Sequence, residues 1–209
     1  MKLYILGSSL YAEEIAELIV DSEGFYDLNG FIEGVDHERC SEKLLDRPIL
    51  WIDDVSNLDG NCRGICAVGS PKRKDFIQQA QSLGLQFTSF IHPSAQVPTS
   101  STIGTGSIVS AGSIIAGKTS IGEHTIINHG CLIGHHVSIG NYVTISPGAN
   151  IAGETVIGDG SYIAMGVIIL DGIMIGKNVV IGAGALVTKD VPDNVQVVGS
   201  PARIVKKFT

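Results

Sequence analysis

The chain of 209 residues is short of several things, and each shortage closes off a class of function. Aromatic residues are only 6% of it, so the 44% hydrophobic content and the mean hydropathy of +0.29 rest on aliphatic side chains. That composition suits a packed, repetitive core and excludes a disordered chain. Basic residues are outnumbered, 14 Lys and Arg against 21 Asp and Glu, for a net charge of −7 and a pI near 5.3. Nothing global therefore attracts nucleic acid or an anionic membrane. No uncharged apolar run reaches the ~18 residues of a membrane span. The N-terminal stretch Met1–Gly7 turns into a Gly/Ser loop too early for a signal peptide. Four cysteines, Cys40, Cys62, Cys66 and Cys131, lack the paired spacing of a metal site, which predicts reduced thiols in the cytoplasm. The dinucleotide fingerprint G-x-G-x-x-G is missing as well, and Gly7 alone does not support NAD binding.

What the chain has in plenty is a beat of six. From Ile91 to Val187 every sixth residue is Ile or Val, seventeen times without a break: Ile91, Val97, Ile103, Val109, Ile115 and onward. Gly or another small residue usually follows the branched one, as at Gly104, Gly122 and Gly158. Two positions before it the side chain is mostly small or β-branched, as at Ala95, Ser101, Ser107, Thr119, Ala149 and Ser161. A period of six matches neither a helix nor a hairpin meander. It matches a solenoid of three short faces per coil, each sending one branched residue into a shared core, with glycine easing the corners. A coil of this kind is stable only when stacked, and a little under six coils of eighteen residues exceeds the ~3 that such arrays need.

The stretch before the hexads has a different texture. Lys2–Gly7 is an apolar run ending on glycine. Ser8 and Ser9 follow, then Tyr11–Ile19 with Ile15, Leu18 and Ile19 at helical spacing, acids in the first turn and a serine as N-cap. Further strands are predicted at Leu28–Glu33, Pro48–Ile52 and Gly64–Gly69, a helix at Pro71–Leu83, and an extended piece at Gln86–Phe90. This alternation predicts a small parallel sheet of Rossmann type over residues 1–90, followed by the solenoid over 91–209, with Ala202–Thr209 closing it as a short helix or strand.

The hexads, together with the tail Gly199-Ser200-Pro201-Ala202-Arg203, resemble the hexapeptide acyltransferases, which implies a left-handed parallel β-helix. Four stretches narrow the likeness: Leu3–Gly7, Gly30–Glu33, Val68–Arg73 and Ile91–Ala95. With them nearly the whole chain is similar to bacterial sugar acetyltransferases of the sialic acid O-acetyltransferase and UDP-4-amino-sugar N-acetyltransferase kind. The resemblance implies acetyl-CoA as donor, an amino or hydroxyl group of a nucleotide-activated sugar as acceptor, surface polysaccharide or glycan synthesis, a homotrimer, and a groove between subunits.

Acetyl transfer needs a base for the nucleophile's proton and a donor for the developing oxyanion. Histidine suits the first role at neutral pH, and His124, His129, His135 and His136 crowd into thirteen residues. Aligning Ile145-Ser146-Pro147-Gly148 with the family's Ile-Ala-Pro-Gly puts the family's acid-His-acid triplet on Gly134-His135-His136. The resemblance thus implies His135 as base, with Gly134 and His136 in place of both acids; a neutral His136 can still orient its neighbour. It also carries Thr144, Gly153, Met165 and Ala183 onto acetyl-CoA positions. Lys189 and Arg203 stand near enough to the end to meet the CoA phosphates, or are solvated charges. In the N-terminal part it carries Ser9, Leu10, Tyr11, Glu33, Gly34 and Gly69 onto the nucleotide-sugar loop. There side chains replace the family's glycines after Gly7, which hinders close backbone approach to a pyrophosphate.

A second likeness competes. His124 through Gly134 resembles the His-x4-His-Gly-Cys-x-Ile-Gly stretch of the gamma-class carbonic anhydrases, also trimeric β-helices, where both histidines bind zinc between subunits. Catalytic zinc takes three protein ligands and an open position. The third, thirty-six residues before His124, is Thr88 here, and His92 is out of phase. A non-catalytic β-helix scaffold is the third reading; loss of acetyl-CoA affinity would mark it.

Overall fold

The computed structural model describes residues 1–22 and 26–208 and divides into two compact units, Met1–Phe90 and Ile91–Thr209, of which Thr209 lies outside the described residues. In the first unit, β1 (Lys2–Leu6), β2 (Asp27–Glu33), β4 (Arg47–Trp51), β5 (Arg63–Cys66) and β6 (Gln86–Phe87) form a parallel sheet. The short β3 (Lys43–Leu44), not expected from the sequence, pairs antiparallel on one margin. The order is β3-β4-β2-β1-β5-β6, so the parallel strands run third, second, first, fourth, fifth. That is the Rossmann arrangement, and its order reverses between β1 and β5.

Helix α1 (Leu10–Asp21) links β1 to β2 and buries Ala12, Ile15, Ala16 and Ile19, one stripe at the spacing of two turns. Helix α2 (Arg73–Ser82), a residue or two shorter at each end than expected, buries Ile77 and Ala80 and carries the whole Arg73 side chain inside. Ile52, expected as strand, starts a 3-10 turn instead.

The second unit is a left-handed parallel β-helix of two-residue strands in three walls. Wall one stacks Ile114–Ile115, Leu132–Ile133, Asn150–Ile151, Ile168–Ile169 and Leu186–Val187. Wall two stacks Thr102–Ile103, Ser120–Ile121, Ser138–Ile139, Val156–Ile157 and Met174–Ile175. Wall three runs from Ile108–Val109 through Ile126–Ile127, Thr144–Ile145, Tyr162–Ile163 and Val180–Ile181 to Val195–Val198. Pairing between coils offsets residues by eighteen, as in Ile115 with Ile133 and Ile133 with Ile151, until the last coil, where the offset shortens to sixteen, as in Ile181 with Val197. The hexad residues from Val109 to Val187 are all buried in one continuous core. Fully burying each such side chain contributes about 1.5–3 kcal/mol. The tail closes the stack as a strand, Arg203–Lys207, antiparallel to Val195–Val198.

Two features of the hexad take on physical meaning here. The glycine after the branched residue does not turn the corner, as the sequence suggests. Gly104, Gly122, Gly134 and Gly158 have ordinary φ, and a Cβ on any of them would meet backbone of the next coil at 2.7 Å or less. The turn comes two residues later, in a left-handed residue such as Gly106 (φ 77°), Lys118 (φ 60°) or His136 (φ 57°). The small residue two positions before the branched one bridges coils. Thr125 donates its hydroxyl to the Gly140 carbonyl at 2.8 Å and accepts from the Val143 amide at 3.2 Å; Ser107, Ser113, Thr119 and Ser161 repeat the pattern. A hydroxyl there serves two backbone groups that the dry corner hides from water.

Candidate active site

The edge between walls one and two carries Gly117-Lys118, His135-His136, Gly153-Glu154 and Asp171-Gly172 in successive coils. His136 donates its amide to the Gly117 carbonyl (3.2 Å), and the Glu154 amide donates to the His135 carbonyl (2.9 Å). His135 and His136 are both exposed, edge to face at 5.2 Å, with their Nδ1 atoms 3.1 Å apart. One of the two nitrogens must carry the proton they share. If it is His135, its Nε2 keeps a lone pair. The ring lies against Gly153: a Cβ built there would come within 2.7 Å of Cε1, 2.9 Å of Nε2 and 3.1 Å of Nδ1. Gly153 is thus the floor under the imidazole, and its amide is held by the Asp171 carboxylate at 3.1 Å.

Along the chain His135 is flanked by Gly134 and His136, with no acid next to it. The fold offers acids from another direction. Glu154 stands one coil from His136 at the same edge position, and Asp171 one coil beyond Gly153. Adjacent strands lie about 4.8 Å apart, so a step of eighteen residues was the signal to follow. His136 and Glu154 also hold left-handed backbone (φ 57° and 60°), as Lys118 does on the same edge and as glycine does at Gly172.

The other expected donor-site residues lie elsewhere on the same chain. Thr144 is buried on wall three between Ile126 and Tyr162. Met165, 60% exposed, and Ala183 belong to the edge between walls three and one, in a column with His129 and Pro147. Only Gly153 stands with His135. On wall two, Val156 and Met174 line an apolar concavity of about 370 Å³ together with residues 190–193.

His124 and His129 are on different edges. His124 is buried, its ring stacked on Tyr142 at 5.4 Å, while His129 is half-buried beside Gly130. Among the described residues no group of three or more His, Cys, Asp or Glu side chains is gathered for a metal. Burial pushes the Cys131 thiol up to about 11, and Cys66 likewise.

In the first unit the expected nucleotide-sugar residues meet at the carboxyl ends of β1, β2 and β5. Ser9 caps α1 by position only, making no side-chain cap bond; Leu10 is 83% exposed and Tyr11 half-buried in the first turn. Glu33 is buried. Its Oε2 takes the Ser8 hydroxyl, and its Oε1 takes the amides of Gly34 (2.9 Å), Val35 (2.8 Å) and Asp36 (3.3 Å). Burial works against its charge, but the Ser8 hydroxyl and those amides outweigh it and hold the carboxyl below its usual range. Gly34 is glycine for packing, because a Cβ would sit 2.5 Å from the Phe76 ring; at Gly69 a Cβ would meet nothing within 4 Å.

Residues 118–153 and 154–189 each match the family described as bacterial transferase hexapeptide (six repeats). No curated protein matches the chain by sequence. Among solved structures it is similar to the acetyltransferase domain of PglB from Neisseria gonorrhoeae FA1090, at 29% identity and TM-score 0.88 over 98% of this chain and 99% of that one. The same domain has been solved with acetyl coenzyme A. PerB from Caulobacter crescentus, in complex with CoA and GDP-perosamine, matches at 25% identity and TM-score 0.88 over 99% and 98%. WeeI from Acinetobacter baumannii AYE matches at 25% and 0.74 over 98% and 100%.

Proposed function

We propose that this chain, one of the hexapeptide-repeat sugar acetyltransferases, moves the acetyl group of acetyl-CoA onto an amino group of a nucleotide-activated sugar, with His135 as general base. The observation that carries the mechanism is the 3.1 Å Nδ1–Nδ1 contact between His135 and His136. With the shared proton on His135 Nδ1, His136 accepts it and fixes the tautomer, and Nε2 of the exposed His135 ring, which lies against Gly153, keeps the lone pair that acts as base. The acceptor nitrogen attacks the thioester carbonyl and Nε2 takes its proton. The carbon–sulfur bond then breaks, and the proton returns to the departing thiolate of CoA. The resulting imidazolium still donates through Nδ1 to His136, a charge-assisted bond. An amine is nucleophilic once neutral and asks less of its base than a hydroxyl, which suits a histidine lacking an adjacent carboxylate.

The assembly in this reading is a homotrimer. Gly153 shares an edge with His135, whereas Met165 and Ala183 lie on another edge; one acetyl-CoA can touch both sets only where edges of two copies meet. Wall one supports such packing, since Ile114, Leu132 and Ile168 are 41–46% exposed in one outward row. The first unit binds the nucleotide-sugar in this reading, its loop built from Ser9, Leu10, Tyr11, Glu33, Gly34 and Gly69. A reaction fed by acetyl-CoA belongs to the cytoplasm. Among the described residues no helix is long and apolar enough to cross a membrane.

The deciding experiment is a CoA-release assay across nucleotide-linked 4-amino-sugars, free amino-sugars and sialic acids, with light scattering alongside. Turnover is expected on a nucleotide-linked amine by a trimer. Release only with sialic acids would move the acceptor to a hydroxyl; no turnover and no heat of acetyl-CoA binding would leave a scaffold. A monomer at micromolar concentration would remove the shared groove.

A further inference from the structure

We infer that the ring pair His37–Trp51 is the platform on which the nucleobase of the activated sugar stacks; this rests on the nucleotide-sugar reading of the first unit. Ligands of open parallel sheets lie beyond the carboxyl ends of the strands, next to the point where strand order reverses. That point is between β1 and β5, so the loops after β1, β2 and β4 line the crevice on one side. Glu33, the last residue of β2, is paired in register with Trp51, the last of β4, so both side chains leave the same side of the sheet.

In many Rossmann sites an acid in this position takes the ribose hydroxyls. Glu33 is already spent on Ser8 and on the amides of Gly34, Val35 and Asp36. The carboxylate instead folds the loop after β2 into a tight arch with Val35 at its tip, 92% exposed. The arch leads into a 3-10 turn that begins at His37, and the exposed His37 ring rests on the half-buried Trp51 indole at 4.9 Å and 57°. The exposed His37 ring and the half-buried indole it rests on, at the strand ends where a nucleotide lies, together offer a π-surface that any base can use. The rim fixes the ligand's direction. Asp53, which accepts the indole N–H at 3.3 Å, together with Asp36 and Asp54, makes this end acidic. It repels a diphosphate and accepts from base N–H groups. The phosphates are left to the other end, at Ser9 and the first turn of α1.

Trp51 is the only tryptophan of the chain, which gives the platform its own reporter. Titrating the full-length protein with GDP and with UDP should quench its emission saturably with at least one of them. Inorganic pyrophosphate should leave it unchanged. Removing one stacking ring, His37→Ala, should weaken that nucleotide about tenfold by calorimetry, with acetyl-CoA binding unchanged. If nucleotide binds calorimetrically while Trp51 emission and the His37→Ala affinity stay as they were, the platform is wrong and the nucleotide-sugar reading stands. Quenching by pyrophosphate alone would also overturn it. If neither nucleotide binds and a free amino-sugar is acetylated, the underlying reading fails and the platform with it.

Discussion

In the β-helix a residue's neighbour is found by adding eighteen; in the N-terminal unit no such rule exists. Ile127 pairs with Ile145 because the coil length says so, and Thr125 takes the Val143 amide by the same arithmetic. Glu33 meets Ser8 across 25 positions of unrelated sequence, and Gly34 meets Phe76 only because α2 happens to cross there. One unit distributes its stability over many equivalent contacts between coils. The other concentrates it in a few unrepeatable ones. The two proposed sites follow suit: acetyl transfer uses an edge whose residues recur in a column, and nucleotide binding uses loops that occur once.

The largest expected effect tests whether the edge is catalytic or merely periodic. His135→Ala should lower kcat by roughly 10²–10⁴-fold with little change in acetyl-CoA affinity. His136→Ala should cost less, and His136→Glu should recover rate. A His135→Ala enzyme with wild-type kcat, measured by CoA release, would end the proposed mechanism.

Next comes the core of the solenoid. Ile145→Ala removes a fully buried side chain from the continuous core and should destabilise the β-helix by about 2–5 kcal/mol in denaturant melts. A loss well under that, with activity intact, would mean that neighbouring coils absorb the gap and that the coils are less tightly coupled than their register implies.

Glu33 provides the matching test in the unrepeated unit. Its carboxyl is held low when folded, so its contribution is present above the ordinary carboxylate value of 4.5 and fades as pH falls through the lower folded value. Glu33→Gln should cost about 1–3 kcal/mol at neutral pH and flatten the acid limb of the stability curve. Wild-type and variant curves that stay parallel down to pH 3 would show that the charge does not hold the arch.

The smallest effect is the sharpest against the metal alternative. His124→Ala and His129→Ala should leave transfer nearly unchanged, and a chelator should do the same, because both lie on edges other than that of His135. Loss of activity in either variant, or on chelation, would reverse the roles of the histidines.

The hexads made the solenoid legible because its geometry is local: every sixth residue must face inward, and that demand is written at each position. The Rossmann order was legible more coarsely, through strand and helix alternation, while the short β3 and the 3-10 turn at Ile52 were not, since two-residue pairings leave no pattern. The candidate base was legible only through a motif, and what surrounds it was not. No acid stands beside His135 along the chain, because the acids of that edge, Glu154 and Asp171, are nineteen and thirty-six residues away.

By itself, then, the sequence determined the coil length, the contents of the core and the boundary where hexads begin, because six-residue periodicity and side-chain burial are properties of short segments. The tertiary structure decided what the recurring glycines are for, which is clearance from the next coil. It decided that Thr144, Met165 and Ala183 stand apart from His135 on one chain, and that Glu33 closes a loop through Ser8 and three amides. Those outcomes depend on which segments become neighbours in space, and no local pattern of the chain encodes a distance between segments that the fold has yet to bring together.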